Sequence, residues 1–232
     1  HPPRRLRRRH RHRSGRARGG HGPVMTDGST TGTELRAIDR DHLRDLLDAE
    51  YRPSIPFERQ IHRAAVAAIF RSGSEATELL LIQRAERLGD PWSGQMAFPG
   101  GRTDPDDATP ESTAIRETRE EIGLELGPDH AIGTLAELDG GRATKRLVLV
   151  SAHAYWLDGE KPQLSINHEV ADTVWVPLTD LVDPARHIDY HYPAADTSFP
   201  GIRLDGDGQV LWGLTLRFVG HLFERLGVPF LV

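Results

Sequence analysis

The sequence predicts an α+β fold, with an α/β/α sandwich around a mixed β-sheet. Two observations lead to this prediction. Short apolar runs typical of strands and amphipathic segments typical of helices share the chain, and they follow one another without the regular alternation of a doubly wound fold. The chain has 232 residues, 38% of them hydrophobic, which is enough for one core and too little for two ordinary domains. We therefore expect one globular domain.

The first predicted element is a short amphipathic helix over residues 39–49, where Leu43, Leu46 and Leu47 recur at helical spacing behind an Asp-Arg-Asp start. Short apolar runs flank a Ser-Gly-Ser turn at residues 72–74, and we expect them to form paired, largely buried strands. The remaining elements follow from the same patterns. Strands are predicted at 62–70, 78–84, 131–137, 147–156 and 173–176, and further helices at 110–122 and 212–226.

The first 24 residues differ in composition from the rest of the chain. They contain nine Arg and no acidic residue, with too little apolar content to bury surface. We expect this segment to be disordered, either as an Arg-rich arm or as sequence upstream of a start at Met25. A nucleic-acid arm and a transit peptide are alternative interpretations. Residues 25–58 would then form a helix and lead-in, and residues 59–232 the main domain.

Beyond residue 24 the chain is strongly acidic, with 20 basic against 34 acidic residues. Because an acidic surface repels nucleic acid, we expect a small, metal-complexed substrate and no nucleic-acid partner. No run approaches the roughly 18 apolar residues of a membrane-spanning helix, so a membrane role is not expected. The absence of Cys excludes disulfides and a cysteine nucleophile. It fits a reducing compartment, and we expect a cytoplasmic protein.

Three acidic residues of the helix at 110–122 carry the main functional signal. Glu117, Glu120 and Glu121 stand at i, i+3 and i+4, so a helix places them on one face. Their mutual repulsion would be relieved by a hard cation, and carboxylates are the ligands that Mg²⁺ or Mn²⁺ prefers. The alternative is a solvated charged face, which is the usual role of Glu-rich helices.

The residues around this helix favour the metal site. Gly100 and Gly101 form a Pro-Gly-Gly turn that lets the backbone bend sharply and a carbonyl approach a ligand. An acidic loop follows at residues 104–107, and Gly123 is a natural helix stop. The segment resembles the box of the Nudix hydrolase family, G-x5-E-x7-R-E-U-x-E-E-x-G-U, where U is aliphatic. The matching residues are Gly101, Arg116, Glu117, Glu120, Glu121, Gly123 and Leu124.

The chain departs from this box at two places. Asp107 stands where the box has its first Glu, and eight residues instead of seven separate it from Arg116, so the loop is one residue longer. Thr118 replaces an aliphatic residue. The helix that carries the metal ligands keeps its register. The same longer box occurs in the coenzyme A pyrophosphatases, the subgroup that the chain resembles best.

The resemblance implies a Nudix-type sandwich and roles for particular residues. The implied metal ligands are Glu117, Glu120, Glu121 and the Gly100 carbonyl, with Mg²⁺ or Mn²⁺ as the cofactor. Glu120 or Glu121 is the implied ligand and base, and Arg116 the implied brace of the glutamates. Glu169 falls where Nudix enzymes often place a further carboxylate, so it has either a catalytic or metal-binding role or is an ordinary surface acid.

A second motif ahead of the box, within residues 80–101, also resembles the coenzyme A subgroup, in which it reads roughly L-L-T-x-R-S, a later Arg, a Gly and F-P-G-G. This chain has Leu-Leu-Ile-Gln-Arg-Ala at residues 80–85 and Gly-Gln-Met-Ala-Phe-Pro-Gly-Gly at residues 94–101. Ala85 replaces the Ser of the motif, and no Arg stands at the second Arg position unless Arg87 takes that part. Arg84 and Arg87 could hold substrate phosphates through their guanidinium forks, or could be surface residues that only pack their stems. Trp92 could stack on a base or fasten its loop to the core.

The resulting functional expectation is metal-dependent hydrolysis of the diphosphate bond of coenzyme A or its derivatives, giving 3′,5′-ADP and 4′-phosphopantetheine. One alternative is a broad pyrophosphatase acting on ADP-ribose, NADH or oxidised nucleotides. Another is a non-catalytic nucleotide-binding module that regulates. The expected partner is a small nucleotide substrate, and a homodimer is left open.

Overall fold

The computed structural model describes residues 35–48, 52–55, 61–89, 92–140, 147–193, 196–206 and 208–230. Its helices are α1 (Arg40–Leu46), α2 (Pro110–Ile122), α3 (Leu178–Leu181) and α4 (Gly213–Arg225). Its strands are β1 (His62–Ser72), β2 (Thr77–Arg84), β3 (Met96–Ala97), β4 (Gly100–Arg102), β5 (Ala131–Asp139), β6 (Val148–Leu157), β7 (Val170–Pro177), β8 (His187–Tyr192), β9 (Thr197–Arg203) and β10 (Val210–Trp212). The predicted arm, residues 1–24, lies outside the described residues.

The main sheet has seven strands and is mixed, as predicted. Its central path runs β3-β2-β1-β6-β5, with β4 also paired to β1 and β7 to β2. Strand β1 runs parallel to β6, and the other pairs are antiparallel. Gly73 makes the predicted turn between β1 and β2, where its N–H donates to the Ala76 carbonyl. The strand order places β1, which is apolar on both faces, at the centre of the sheet.

Helices cover both faces of this sheet, so the predicted α/β/α sandwich is confirmed. On one face α2 packs against β1 and β6, and a cluster of buried residues fills the interface. Its members include Ala65, Ala67, Ile69, Ala114, Ile122 and Tyr155. On the other face α1 and α4 cover a larger cluster. Its members include Leu43, Phe70, Phe98, Ile132, Phe218, Leu222 and Phe223.

Local sequence sets the ends of α2. Thr109 caps its N-terminus by accepting a hydrogen bond from the Ser112 N–H at 3.1 Å, and the Ser112 hydroxyl oxygen accepts from the Thr109 N–H at 3.1 Å. Pro110 occupies the first turn, where its missing N–H is not needed. Gly123 ends the helix in the left-handed conformation, with φ of 67°. The predicted bounds of α2 are therefore confirmed.

The N-terminal helix is shorter than predicted. It begins after the Asp39 cap, which accepts from the His42 N–H at 2.9 Å, but it ends at Leu46. The next residue, Leu47, is extended, and Asp48 pairs with Thr134 at the edge of β5. Tertiary pairing therefore overrides the helical periodicity of the final turn.

A second, three-stranded sheet of β8, β9 and β10 was not predicted from the sequence. Strand β9 contains Pro and Gly, polar residues interrupt β8, and β10 has only three residues, so the strand pattern is hidden in the sequence. The sheet is held by an aromatic cluster, in which Tyr190, Tyr192 and Phe199 surround Trp212 at ring-centroid distances of 4.8–5.4 Å. None of the described helices has the length and apolar content needed to cross a membrane.

Candidate active site

Five of the predicted site residues line one cavity of about 420 Å³, namely Arg84, Gly100, Glu117, Glu121 and Glu169. It opens where β4 and α2 meet the end of the main sheet, and it has two chemically different parts. Its acidic part is formed by Glu117, Glu121 and Glu169, with Arg84 also in the lining. Its apolar part comes from both the sheet and the last helix. The apolar lining residues are Ala64, Val66, Met96, Phe98, Val148, Val150, Leu214 and Phe218.

The three acids of α2 differ sharply in exposure. Glu121 is 2% exposed, the side chain of Glu117 is 17% exposed, and that of Glu120 is 50% exposed. Along this helix, Glu121 therefore faces the core, Glu120 faces solvent, and Glu117 is intermediate. The alternative of a solvated charged face fits only Glu120, because Glu121 is buried and Glu117 is mostly buried. A buried carboxylate needs compensating partners, so the contacts of Glu121 are informative.

Glu121 is held by the glycine turn. Its Oε2 accepts a hydrogen bond from the Gly100 N–H at 2.8 Å. Burial raises the pKa of Glu121 to about 7, and the charges of Glu117 and Glu169 add to this effect. The Gly100 hydrogen bond and the charge of Arg84 act in the opposite direction. The carboxyl therefore stands where a positive charge would stabilise its ionised form.

Both glycines of the turn have close neighbours, which are backbone atoms at Gly100 and the Glu117 side chain at Gly101. Gly100 has φ of 150°, and a Cβ there would lie 2.3 Å from the Ala65 carbonyl oxygen. A Cβ on Gly101 would lie 2.5 Å from the Glu117 carboxyl carbon. Only glycine at position 100 lets β4 pair this closely with β1, whereas a side chain at position 101 would displace the Glu117 carboxylate from the turn. Burial raises the pKa of Glu117, against the opposing effect of Arg116.

Arg116 binds the loop and two of the helix acids together. Its Nε and Nη2 donate to the two carboxylate oxygens of Asp107 at 3.1 and 2.9 Å, and Nη2 also donates to the Arg102 carbonyl at 3.1 Å. Its Nη1 donates to Glu117 at 3.0 Å and to Glu120 at 3.2 Å. This geometry fits the bracing role that the resemblance implies for Arg116.

Asp107 takes part in this bracing although the loop is one residue longer than in the family box. Its Oδ2 accepts from the Asp104 N–H and from the Thr113 hydroxyl, both at 2.9 Å. The Arg116 guanidinium holds the pKa of Asp107 well below its usual range. The loop therefore accommodates the extra residue, and Asp107 of the loop still bonds to Arg116 of the helix.

The two predicted phosphate-binding arginines occupy different places. Arg84 lies in the cavity lining, whereas Arg87 is not among the lining residues. Arg87 instead forms an ion pair with Glu169, with Nη2 3.1 Å from Oε1. His168 is exposed and its Nε2 lies 3.8 Å from the same oxygen. Trp92 lines the cavity, so its predicted alternatives of stacking on a base and fastening the loop both stay open.

The acidic part has the donor chemistry of a divalent cation site. Glu117, Glu121 and Glu169 line one cavity, and the first two have raised pKa values because burial and neighbouring negative charges oppose their ionisation. A hard cation would reverse both effects. Within the described part of the chain, no three His, Asp or Glu side chains are already spaced to hold an ion. Glu120 bonds Arg116 here and does not line the cavity.

Sequence reasoning missed the apolar part of the cavity. Leu214 and Phe218 look like ordinary core positions of an amphipathic helix, and only the fold brings them opposite Val66 and Phe98. The available signal was the apolar spacing of the helix predicted at residues 212–226, but this spacing does not distinguish a cavity position from a core position. The predicted Gly100 carbonyl ligand stays a prediction.

Comparison with known proteins agrees with this geometry. A family model described as the NUDIX domain matches residues 61–196. The chain is 33% identical over 180 residues to the uncharacterized Nudix hydrolase NudL of Yersinia pestis (strain Pestoides F), covering 74% of this chain and 83% of that protein. The Yersinia pseudotuberculosis protein of the same name gives the same values. A MutT/nudix family protein from Enterococcus faecalis shares the fold, with a TM-score of 0.52 and 17% identity over 88% of this chain and 75% of the other.

Proposed function

The chain belongs to the Nudix hydrolase family, whose members generally use divalent metal ions, and from this premise we propose that it hydrolyses coenzyme A or its acyl derivatives. Water would attack one phosphorus of the diphosphate, and the bridging P–O bond would break. The products are 3′,5′-ADP and 4′-phosphopantetheine, or its acyl form. The proposed cofactor is Mg²⁺ or Mn²⁺.

The proposal rests on which segment of the chain supplies the residues that line the cavity. The segment from Leu80 to Gly101, which resembles the coenzyme A subgroup, contributes a large share of them. The contributed residues are Arg84, Trp92, Gln95, Met96, Ala97, Phe98, Gly100 and Gly101. The cavity thus places an arginine and carboxylates beside an extended apolar part. This division suits a substrate that joins a diphosphate to an uncharged arm.

Each side chain of the site has its own role in the proposed reaction. A cation held by Glu117, Glu120, Glu121 and the Gly100 carbonyl would neutralise diphosphate charge and lower the pKa of attacking water. Arg84 would hold a phosphate group. Arg116 keeps Glu117 and Glu120 in place through hydrogen bonds at 3.0 and 3.2 Å. Glu120, Glu121 or Glu169 would accept the proton of the water, and the apolar lining would exclude competing solvent.

A substrate panel tests this proposal. Metal-dependent turnover is measured on coenzyme A, an acyl-coenzyme A, dephospho-coenzyme A, ADP-ribose and NADH. We expect coenzyme A to exceed dephospho-coenzyme A by roughly tenfold to a hundredfold in kcat/KM, because a charge-assisted contact to the 3′-phosphate contributes about 1.5–3 kcal/mol. Arg84→Ala should narrow that difference.

Arg203→Ala is the matched control, because it removes one exposed arginine from β9, away from the cavity lining. It should leave the substrate preference unchanged. Equal rates on coenzyme A, dephospho-coenzyme A and ADP-ribose, unaltered by Arg84→Ala, would replace the proposal with a broad Nudix pyrophosphatase. Nucleotide binding without any turnover would indicate a regulatory module.

A further inference from the structure

The ion pair between Arg87 and Glu169 lies beside the acidic part of the cavity and involves only one of its lining residues. Glu169 lines the cavity together with Glu117 and Glu121, whereas Arg87 does not. Their charged atoms are 3.1 Å apart, so Arg87, which does not line the cavity, contacts a carboxylate that does. A phosphate-binding arginine should itself line that space, as Arg84 does.

The backbone of Glu169 is fixed on both sides. Its carbonyl accepts from the Ala85 N–H at 2.8 Å, and its N–H donates to the Asn167 side chain at 2.7 Å. Glu169 thus continues the pairing of β7 with β2, which ends at the Arg84 and Val170 partners. Since the main chain is held, the remaining freedom of Glu169 is the direction of its side chain.

The position of Arg87 is also defined locally. Its N–H donates to the Ser93 hydroxyl at 2.8 Å, which ties Arg87 to the stretch just before the cavity residues Gln95 and Met96. The guanidinium is therefore presented to Glu169 from a backbone position that is itself bonded. His168 also lies near Glu169, with its Nε2 3.8 Å from Oε1, but its side chain is exposed.

We propose that Arg87 is a positioning residue, whose ion pair directs the Glu169 carboxylate to the reacting diphosphate, and that Arg87 does not bind the substrate. This inference rests on the proposed hydrolase function and on Glu169 taking part in it. A carboxylate displaced by about 1 Å from a reacting group loses much of its effect on rate. Removal of Arg87 should therefore lower the turnover number and leave substrate affinity nearly intact.

The experiment measures kcat and KM separately for the panel substrate that the wild-type protein turns over fastest. Arg87→Met keeps the length of the apolar stem and removes the charge, and we expect kcat to fall about tenfold with KM changed less than about twofold. Arg87→Lys should recover part of kcat, because an ammonium still pairs with the carboxylate. Arg44→Met is the control, since Arg44 forms a comparably exposed ion pair with Asp41 on α1.

A double variant separates positioning from other roles. In a Glu169→Gln background, Arg87→Met should reduce kcat no further, because the partner through which it acts is already changed. A rise in KM at unchanged kcat, or losses that multiply in the double variant, would overturn the inference and leave the hydrolase function standing. A wild-type protein that releases no product from any panel substrate would overturn the proposed function and this inference with it.

Discussion

Two arginines near the cavity bind carboxylates in very different settings. Arg116 makes hydrogen bonds to Asp107, Glu117, Glu120 and a main-chain carbonyl, and the Asp107 side chain is only 7% exposed. Arg87 contacts Glu169 at 3.1 Å, and the two side chains are 41% and 37% exposed. Both arginines contact carboxylates. The two contacts differ in how deeply the side chains are buried and in how many hydrogen bonds the arginine makes.

The site therefore has a fixed part, which is Arg116 with the carboxylates that it bonds, and an adjustable part, which is Arg87 with Glu169. The bidentate contact with Asp107 raises the pKa of Arg116 above its usual range and lowers that of Asp107. An exposed pair such as Arg87 with Glu169 contributes little to stability, typically about 0.2–1 kcal/mol. Arg116 therefore holds the loop and helix together whether or not substrate is bound, whereas Arg87 can influence only the orientation of one side chain.

The largest effect is expected from Arg116→Met. The change leaves Asp107 buried without its guanidinium, so we expect the free energy of unfolding to fall by about 3 kcal/mol. Turnover should fall by at least about 10²-fold, because Glu117 and Glu120 lose their shared donor. Chemical denaturation and steady-state kinetics measure the two effects. Arg116→Lys should recover little, since an ammonium lacks the planar fork. Near-normal stability in both variants would contradict the fixed role of Arg116.

A smaller, pH-dependent effect is expected from Asp107→Asn. Because Arg116 lowers the pKa of Asp107 in the folded state, this carboxylate stabilises the fold above its unfolded pKa of about 3.8. The stabilisation is lost as pH falls below that value. At neutral pH the variant should be about 2 kcal/mol less stable than the wild type, by the typical strength of charged hydrogen bonds. Unfolding measured from pH 6 to pH 3 should show the difference shrinking, and a constant difference would exclude this linkage.

The sequence predicted the fixed part of the site better than the adjustable part. Arg116, Glu117, Glu120 and Glu121 belong to one helix, so periodicity alone places them together. Sequence spacing does not predict the bond between Arg116 and Asp107, because a loop that is one residue longer can close in several ways. Its closure depends on the Asp104 N–H and on Thr113.

The features that the sequence did not predict depend on tertiary contacts. Nothing in the pattern of α2 distinguishes buried Glu121 from exposed Glu120, since the difference comes from the Gly100 N–H on another element. Likewise, Arg84 and Arg87 are three residues apart and look equivalent in sequence. The pairing of β2 with β7 places one in the cavity lining and the other against Glu169. The three-stranded sheet was missed because its strands are held by contacts to Trp212 rather than by alternating apolar residues.

The most direct test of the account is Mn²⁺ binding, measured by the electron paramagnetic resonance signal of the free ion. The wild-type protein should bind Mn²⁺, and Glu120→Gln and Glu121→Gln should each weaken binding by at least about tenfold, because each removes one charged ligand. Thermal unfolding of the metal-free variants should match or exceed that of the wild type, since like-charge repulsion on α2 is reduced. Unchanged Mn²⁺ affinity in both variants would contradict the account and leave α2 as an ordinary charged helix.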